Sequence, residues 1–215
     1  MVRILIADDH GLFRQGLRTF LQDSVAGAEI VEADGLDSAL DALGRDKSFD
    51  LVVTDLRMPG MDGPQSLSAF REAFPAVKLV VMSGLEDRAT VLASLGAGAH
   101  GYVPKSARPE IIADAIATVM SGRIWVPSAL ATWAPQADPQ AAPPPAAASS
   151  ADSPRLTPRQ RDVLKLLLRG ASTKEIAREL ELGEGTVKVH LAGLYRALGA
   201  RNRTEATAIG ARLSF

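Results

Sequence analysis

Five residues able to do chemistry together are spread through the first half of the chain: Asp8, Asp9, Asp55, Ser83 and Lys105. Three carboxylates brought to one place repel one another unless a cation neutralises them, and hard oxygen ligands with water suit Mg²⁺. A divalent ion held by Asp8, Asp9 and Asp55 also binds phosphate oxygens, which leaves the other Asp55 oxygen free to attack phosphorus as a carboxylate nucleophile. Lys105 would then pair with the incoming phosphoryl group. Ser83 would donate to another of its oxygens, a bond that exists only while the group is attached. His10 stands beside the two aspartates, but magnesium prefers oxygen, so the imidazole is left out of the expected ligand set. Singly, each residue has an ordinary role as a helix cap, a strand end or a solvated charge. The joint pattern is what points to chemistry.

For that pattern to matter, the five residues must meet at one edge of the fold. Short apolar runs at Val2–Ala7, Ile30–Ala33, Leu51–Thr54, Lys78–Met82 and Gly101–Val103 read as strands. Between them, Leu12–Gln22, Leu36–Leu43, Pro64–Ala73, Arg88–Leu95 and Pro109–Met120 carry helical spacing. The alternation predicts an α/β unit with a five-stranded parallel sheet, (βα)5 and flavodoxin-like in layout, covered on both faces. Ligands of such sheets sit beyond the carboxyl ends of the strands. Asp8 and Asp9 follow the first strand, Asp55 the third, Ser83 the fourth and Lys105 the fifth. Gly96, Gly98 and Gly101 match G-x-G-x-x-G letter for letter, yet they follow a helix and lead into a strand, the reverse of a dinucleotide fingerprint.

The stretch from Ala134 to Pro154 lacks Val, Ile, Leu, Phe and Met and carries Pro143, Pro144 and Pro145, so it reads as a semi-extended linker. The expected division is residues 1–125 for the α/β unit, 126–154 for the linker and 155–215 for a second, all-α unit. That second unit shows helical spacing over Pro158–Arg169, Thr173–Glu181, Glu184–Leu198 and Arg203–Leu213, with Pro158 at a helix start and Gly170 and Gly199 at helix stops. The net charge of −1 hides a division: Arg155 to Phe215 holds 12 Lys+Arg against 6 Asp+Glu, and the rest holds 12 against 19. A compact basic segment fits a polyanion such as nucleic acid or a merely solvated face, and four helices fit a helix-turn-helix or a protein-interaction module. In the helix-turn-helix reading, Val187, Leu191, Leu194 and Leu198 form the inward stripe of the second helix. Lys188 and His190 lie off that stripe. The chain has no cysteine and no run near the ~18 apolar residues of a spanning helix, and its first apolar run ends at once in Asp8. We expect a cytoplasmic protein without a membrane partner.

Asp8-Asp9, TDLRMPGMDG (Thr54 to Gly63), VMSG (Val81 to Gly84) and GAGAHGYVPK (Gly96 to Lys105) resemble the receiver domain of bacterial two-component response regulators. LTPRQRDVLKLLLRGASTKEIARELELGEGTVKVHLAGLYRALGARNRTEA (Leu156 to Ala206) resembles the LuxR-type DNA-binding domain, and the pair together resembles the NarL/FixJ class. The resemblance implies that a sensor histidine kinase phosphorylates Asp55 with Mg²⁺ bound. It adds the Arg57 backbone carbonyl to Asp8, Asp9 and Asp55 as a metal ligand. It makes Ser83 and Tyr102 a conformational relay, with Tyr102 as plain strand packing the alternative. It further implies that Lys188 and Val189 contact the major groove of double-stranded DNA, with Thr186 and Arg203 near the phosphate backbone. This chain departs from the family at Ala192, where many relatives carry Lys, at Thr173, where Asn is frequent, and at Gln160, where Glu is usual. In the last helix Ala206, Ile209, Gly210 and Leu213 form an apolar stripe, which the resemblance assigns to homodimerisation and which equally fits packing within the domain.

The function so implied is transcription control by a phosphorylated, dimerising DNA binder that is not an enzyme. The rival within the same chemistry is a phosphatase of the aspartyl-phosphate type. Such enzymes carry a second Asp two residues after the nucleophile, where this chain has Arg57.

Overall fold

A computed structural model describes residues 1–132 and 156–213. The predicted linker of Ala134 to Pro154 lies outside the described residues. The first unit runs β1 (Arg3–Ala7), α1 (Gly11–Ser24), β2 (Glu29–Ala33), α2 (Leu36–Arg45), β3 (Leu51–Thr54), β4 (Arg57–Met58), β5 (Met61–Asp62), α3 (Gln65–Ala73), β6 (Lys78–Ser83), α4 (Arg88–Gly96), β7 (Gly101–Pro104) and α5 (Pro109–Met120). Five strands form a parallel sheet in the order β2-β1-β3-β6-β7. The strand order turns back at β1 and β3, and that reversal opens a crevice at the carboxyl ends of these two strands.

Because successive side chains of a strand point to opposite faces, each nearly continuous apolar strand feeds two cores. Leu5, Val52, Leu79 and Val81 pack with α2, α3 and α4, while Ile4, Ile6, Val53, Val80 and Met82 pack with α1 and α5. The sequence patterns had pointed to all five sheet strands and all five covering helices. They had not pointed to the small antiparallel β4–β5 hairpin, whose two-residue arms carry no periodic signal. Beyond α5, Trp125 bridges to Gly101 at the sheet edge, its indole donates to Asp114, and a short α6 (Ala129–Thr132) follows. Leu130 packs on the first core, so ordered structure continues into the span assigned to the linker.

The second unit consists of α7 (Pro158–Leu168), α8 (Thr173–Glu179), α9 (Glu184–Ala197) and α10 (Arg203–Gly210). Thr157 with Gln160, and Ser172 with Glu175, close capping boxes at the starts of α7 and α8. Gly170 and Gly199 take the left-handed conformation, φ 80° and 65°, just past α7 and α9. The predicted stripe of Val187, Leu191, Leu194 and Leu198 is buried against α7 and α8. The α10 stripe is turned the same way: Ala206 is buried, and a Cβ on Gly210 would lie 2.6 Å from Leu164. Packing within the unit takes up Ala206 and Gly210, while Ile209 and Leu213 are only partly buried.

The two units dock through α9, which lies along α3. Gly185 comes so close that a Cβ there would stand 3.1 Å from Ala73 Cβ and 3.3 Å from its carbonyl oxygen. Val189 is buried in the core cluster of the first unit. Arg196 donates to Ser66 Oγ at 2.8 Å, and Arg159 pairs with Asp41 at 3.2 Å.

Candidate functional site

Asp8, Asp55 and Lys105 meet at the carboxyl end of the sheet. Lys105 Nζ lies 2.7 Å from both Asp8 Oδ2 and Asp55 Oδ2, and both carboxylates are buried. The register accounts for this: Ala7 pairs with Thr54 across β1 and β3, so the next residue of each strand leaves the sheet at the same level. Lys105 follows β7, and its backbone N–H donates to the Ser83 carbonyl. Burial alone would lower the Lys105 pKa, but the hydrogen bonds and charges of Asp55 and Asp8 outweigh it and hold the ammonium above the usual lysine value. The other Asp55 oxygen, Oδ1, accepts from the Leu56 backbone N–H at 2.6 Å.

Asp9 is half-exposed at the mouth, and carboxylate oxygens of Asp8, Asp9 and Asp55 lie within 4.8 Å of one another and of a His10 ring nitrogen. Three clustered oxygen donors fit a small hard cation such as Mg²⁺. His10 Nδ1 sits 2.8 Å from Asp9 Oδ1 and 3.2 Å from Asp8 Oδ1, nearer to the cluster than its omission from the ligand set implied. Arg57 opens the β4–β5 hairpin two residues beyond Asp55.

Ser83 and Tyr102 come together beside the cluster. Ser83 Oγ accepts from the Leu85 backbone N–H at 3.3 Å, and the Tyr102 hydroxyl donates to the Leu85 carbonyl. The Tyr102 ring is fully buried, and burial pushes its phenol up to about 12.

Two neighbours escaped the sequence reading. Phe13 places its ring 4.8 Å from Lys105 Nζ, and Arg14 donates to the Asp8 carbonyl at 2.6 Å while pairing with Glu32. Both lie on the first turn of α1, and the signal that marks them is their distance of one helical turn from Asp9 and His10.

On the helical unit the expected DNA residues separate. Lys188 is exposed; Val189 and Thr186 are buried, the first against the α/β unit and the second beside Gly44, whose Cβ would lie 3.6 Å from its hydroxyl. Arg203 donates to the Ala171 carbonyl. The part of the second helix of the helix-turn-helix that carries Thr186 and Val189 is therefore covered by the unit that carries the acidic cluster, while Lys188 stays in solvent. His190, expected off the inward stripe, is also enclosed, because α2 closes over it with Asp37 at 3.4 Å.

Residues 4–117 match the family described as Response regulator receiver domain, and residues 154–209 the one described as Bacterial regulatory proteins, luxR family. The Glycerol metabolism activator of Pseudomonas putida is 34% identical over 206 residues, covering 96% of this chain and 93% of the relative. The Nitrate/nitrite response regulator protein NarL of Escherichia coli K12 is 33% identical, with 94% and 92% covered. The crystal structure of the response regulator ChrA of a heme-sensing two-component system superposes with a TM-score of 0.51 at 30% identity, covering 98% of this chain and 96% of that one. RcsB in its DNA complex shares the fold at a TM-score of 0.57 and 22% identity, with 99% of each chain covered.

Proposed function

The chain belongs to the two-component response regulators with a LuxR-type DNA-binding domain, which regulate transcription, and from that membership we propose that phosphorylation of Asp55 releases α9 from the receiver domain so that it can enter DNA. The observation that carries this reading is the burial of Val189: the helix that reads DNA in this family is docked on the domain that bears the acidic cluster. A helix cannot lie in a major groove and on α3 at once, so docking and DNA binding compete for one surface.

In the transfer, Asp55 Oδ2 forms the bond to phosphorus as the bond to the imidazole nitrogen of a kinase phosphohistidine breaks, the electron pair staying on nitrogen. Asp8, Asp9, Asp55 and the Arg57 carbonyl would hold Mg²⁺, and the ion would supply charge neutralisation for the phosphoryl oxygens. Lys105, which bridges Asp8 and Asp55, turns one N–H to the phosphoryl group, and the Ser83 hydroxyl leaves the Leu85 amide to donate to another phosphoryl oxygen.

The route to α9 is short. Gly60 sits in the turn of the β4–β5 hairpin, five residues after Asp55; a Cβ there would touch Thr157 at 3.5 Å, and its carbonyl lies 4.0 Å from the Cβ position of Gly193 on α9. The same hairpin leads into α3. Reshaping the Asp55–Leu56 backbone therefore acts directly on the surface that holds the DNA-binding domain. Once free, Lys188 and Val189 face base edges and Thr186 and Arg203 face phosphates, in a homodimer that pairs two half-sites. In this reading the partners are a sensor histidine kinase and double-stranded DNA, the compartment is the cytoplasm, and residues 1–125 and 155–215 are the two domains.

Acetyl phosphate with Mg²⁺ should label the wild type and leave Asp55→Asn unlabelled, and beryllofluoride should raise DNA affinity in the wild type only. No labelling of the wild type, or equal DNA affinity with and without beryllofluoride across salt concentrations, refutes the switch.

A further inference from the structure

The seam between the two domains encloses an unusual amount of unsatisfied polarity. His190 is 1% exposed, yet neither ring nitrogen has a hydrogen-bond partner. The facing oxygens Asp37 Oδ1 and Asp41 Oδ1 are also without one. Buried donors and acceptors in this condition destabilise the fold unless something satisfies them, so a cluster of them invites a function. His100 is unlike it: its Nδ1 accepts from the Leu79 backbone N–H at 3.1 Å.

We propose that His190, enclosed between Asp37 and Asp41, is a proton-binding site at the domain seam, and that protonating it undocks α9 from the receiver domain without any phosphoryl group.

The charged groups bearing on the ring are Asp37 and Asp41 from α2 and Arg159 from α7. On α3, Arg71 is turned onto the carbonyls of Phe74, Pro75 and Val77, and Glu72 is exposed. Two carboxylates beside an imidazole would ordinarily draw a proton in. Here both are already engaged: Asp41 Oδ2 pairs with the Arg159 guanidinium at 3.2 Å, and Asp37 Oδ2 accepts from the Arg159 backbone N–H at 3.3 Å. His190 Nδ1 lies 3.4 Å from Asp37 Oδ1 without the alignment of a hydrogen bond. Burial therefore wins over the attraction of Asp37 and Asp41, and the docked ring holds a proton less well than an ordinary histidine.

Undocking returns the ring to water and to a value near 6.5. The undocked form thus binds the proton more tightly, and by linkage a fall in pH through that region favours undocking. The limit is set by the undocked ring: between pH 7.5 and 5.5 the undocked-to-docked ratio rises by at most about tenfold. A cavity of about 90 Å³ at the seam is lined by Asp41 and Arg159, the two groups paired beside His190, and has room for a few waters.

The chain has three histidines, so ring resonances in the full-length, unphosphorylated protein can be assigned with His10→Gln and His100→Gln and followed against pH. His190 should titrate below the ordinary range in the wild type. It should move up toward 6.5 in Ala73→Arg, which forces α9 off α3. In parallel, the distance between a dye on each domain should lengthen from pH 7.5 to 5.5 in the wild type and stay constant in His190→Gln. Identical His190 titration in wild type and Ala73→Arg, an equal dye response in His190→Gln, or closer docking in acid each overturns the proposal. Should His190→Gln not fold, the titrations of the other two proteins decide. Neither measurement uses phosphoryl donor or DNA, so the proton site and the phosphorylation switch fail independently. Only the consequence for DNA, tighter binding in acid, rests on the reading that the docked form is the weak binder.

Discussion

Ala73→Leu tests the docked surface from the side that never meets DNA. Ala73 ends α3, and its Cβ, Cα and carbonyl oxygen all lie within 3.3 Å of where a Cβ on Gly185 would stand, so α3 and α9 meet there backbone against backbone. Three further carbons at position 73 have no room unless α9 withdraws. Overfilling a packed contact costs roughly 1–3 kcal/mol, which at 1.4 kcal/mol per decade moves the docked-to-undocked ratio about 5- to 150-fold. The undocked DNA-binding domain is untouched, so the whole shift should appear as tighter DNA binding by the unphosphorylated protein, up to the affinity of the beryllofluoride form. Fluorescence anisotropy with a labelled duplex, with and without beryllofluoride at fixed salt, measures both limits. If Ala73→Leu binds DNA no better than wild type while remaining folded, the α3–α9 contact does not restrain DNA binding, and the competition argument fails.

Lys105→Met leaves Asp8 and Asp55 buried without their shared cation, and loss of one partner from such a pair costs about 3–5 kcal/mol. Chemical denaturation without metal should show that loss, and Mg²⁺ should restore more stability in the variant than in the wild type. Thr157→Ala removes the hydroxyl that caps α7 and should cost the helical domain about 1 kcal/mol by the same method. The difference between wild-type and Tyr102→Phe ultraviolet titrations should show one phenol ionising near 12, pushed up by burial. Because the folded value is raised, Tyr102 adds alkaline sensitivity: its stabilisation holds below about pH 10 and falls away as pH rises through the folded value, so Tyr102→Phe should lose less stability there.

Much of this arrangement could be read in the residues alone. The alternation of apolar runs and amphipathic stretches marks the sheet and its covering helices, because a parallel strand buried on both faces needs uninterrupted Val, Ile and Leu. Asp8, Asp55 and Lys105 were legible as a cluster since strand order brings successive strand ends to one edge, whatever the intervening loops do. The β4–β5 hairpin was not legible: two residues per arm form no period. Nor was the fate of Val189 and His190, as both stand where solvent or DNA was expected, and periodicity within one helix cannot report a second domain. Gly185 and Ala192, one helical turn to either side of Val189, were the one available sign. Small residues on the outer side of a helix give no grip on a groove, but they permit close approach by another backbone.

That last point bears on how tightly the switch is set. A long side chain on the outer face of α9 can reach a base or a phosphate, yet it also holds α9 away from α3 and Gly60. A small residue does the reverse: Gly185 admits Ala73, whereas Gly193 makes its tight approach to Gln160 within the helical domain. In the proposed competition for one surface, each gain in docking subtracts from the apparent DNA affinity of the docked population. Ala192 stands three residues after Val189 and four before Arg196, both of which meet the receiver domain, so helical spacing puts it on the docked side. Installing the relatives' lysine, Ala192→Lys, should therefore tighten DNA binding twice over, by an added cation in the groove and by a weaker hold on α3. The two parts separate by salt and by beryllofluoride. The added cation steepens the salt dependence by about one counterion in both forms, whereas the docking part disappears once beryllofluoride has opened the protein. An affinity gain equal in the two forms would mean that position 192 acts on DNA alone.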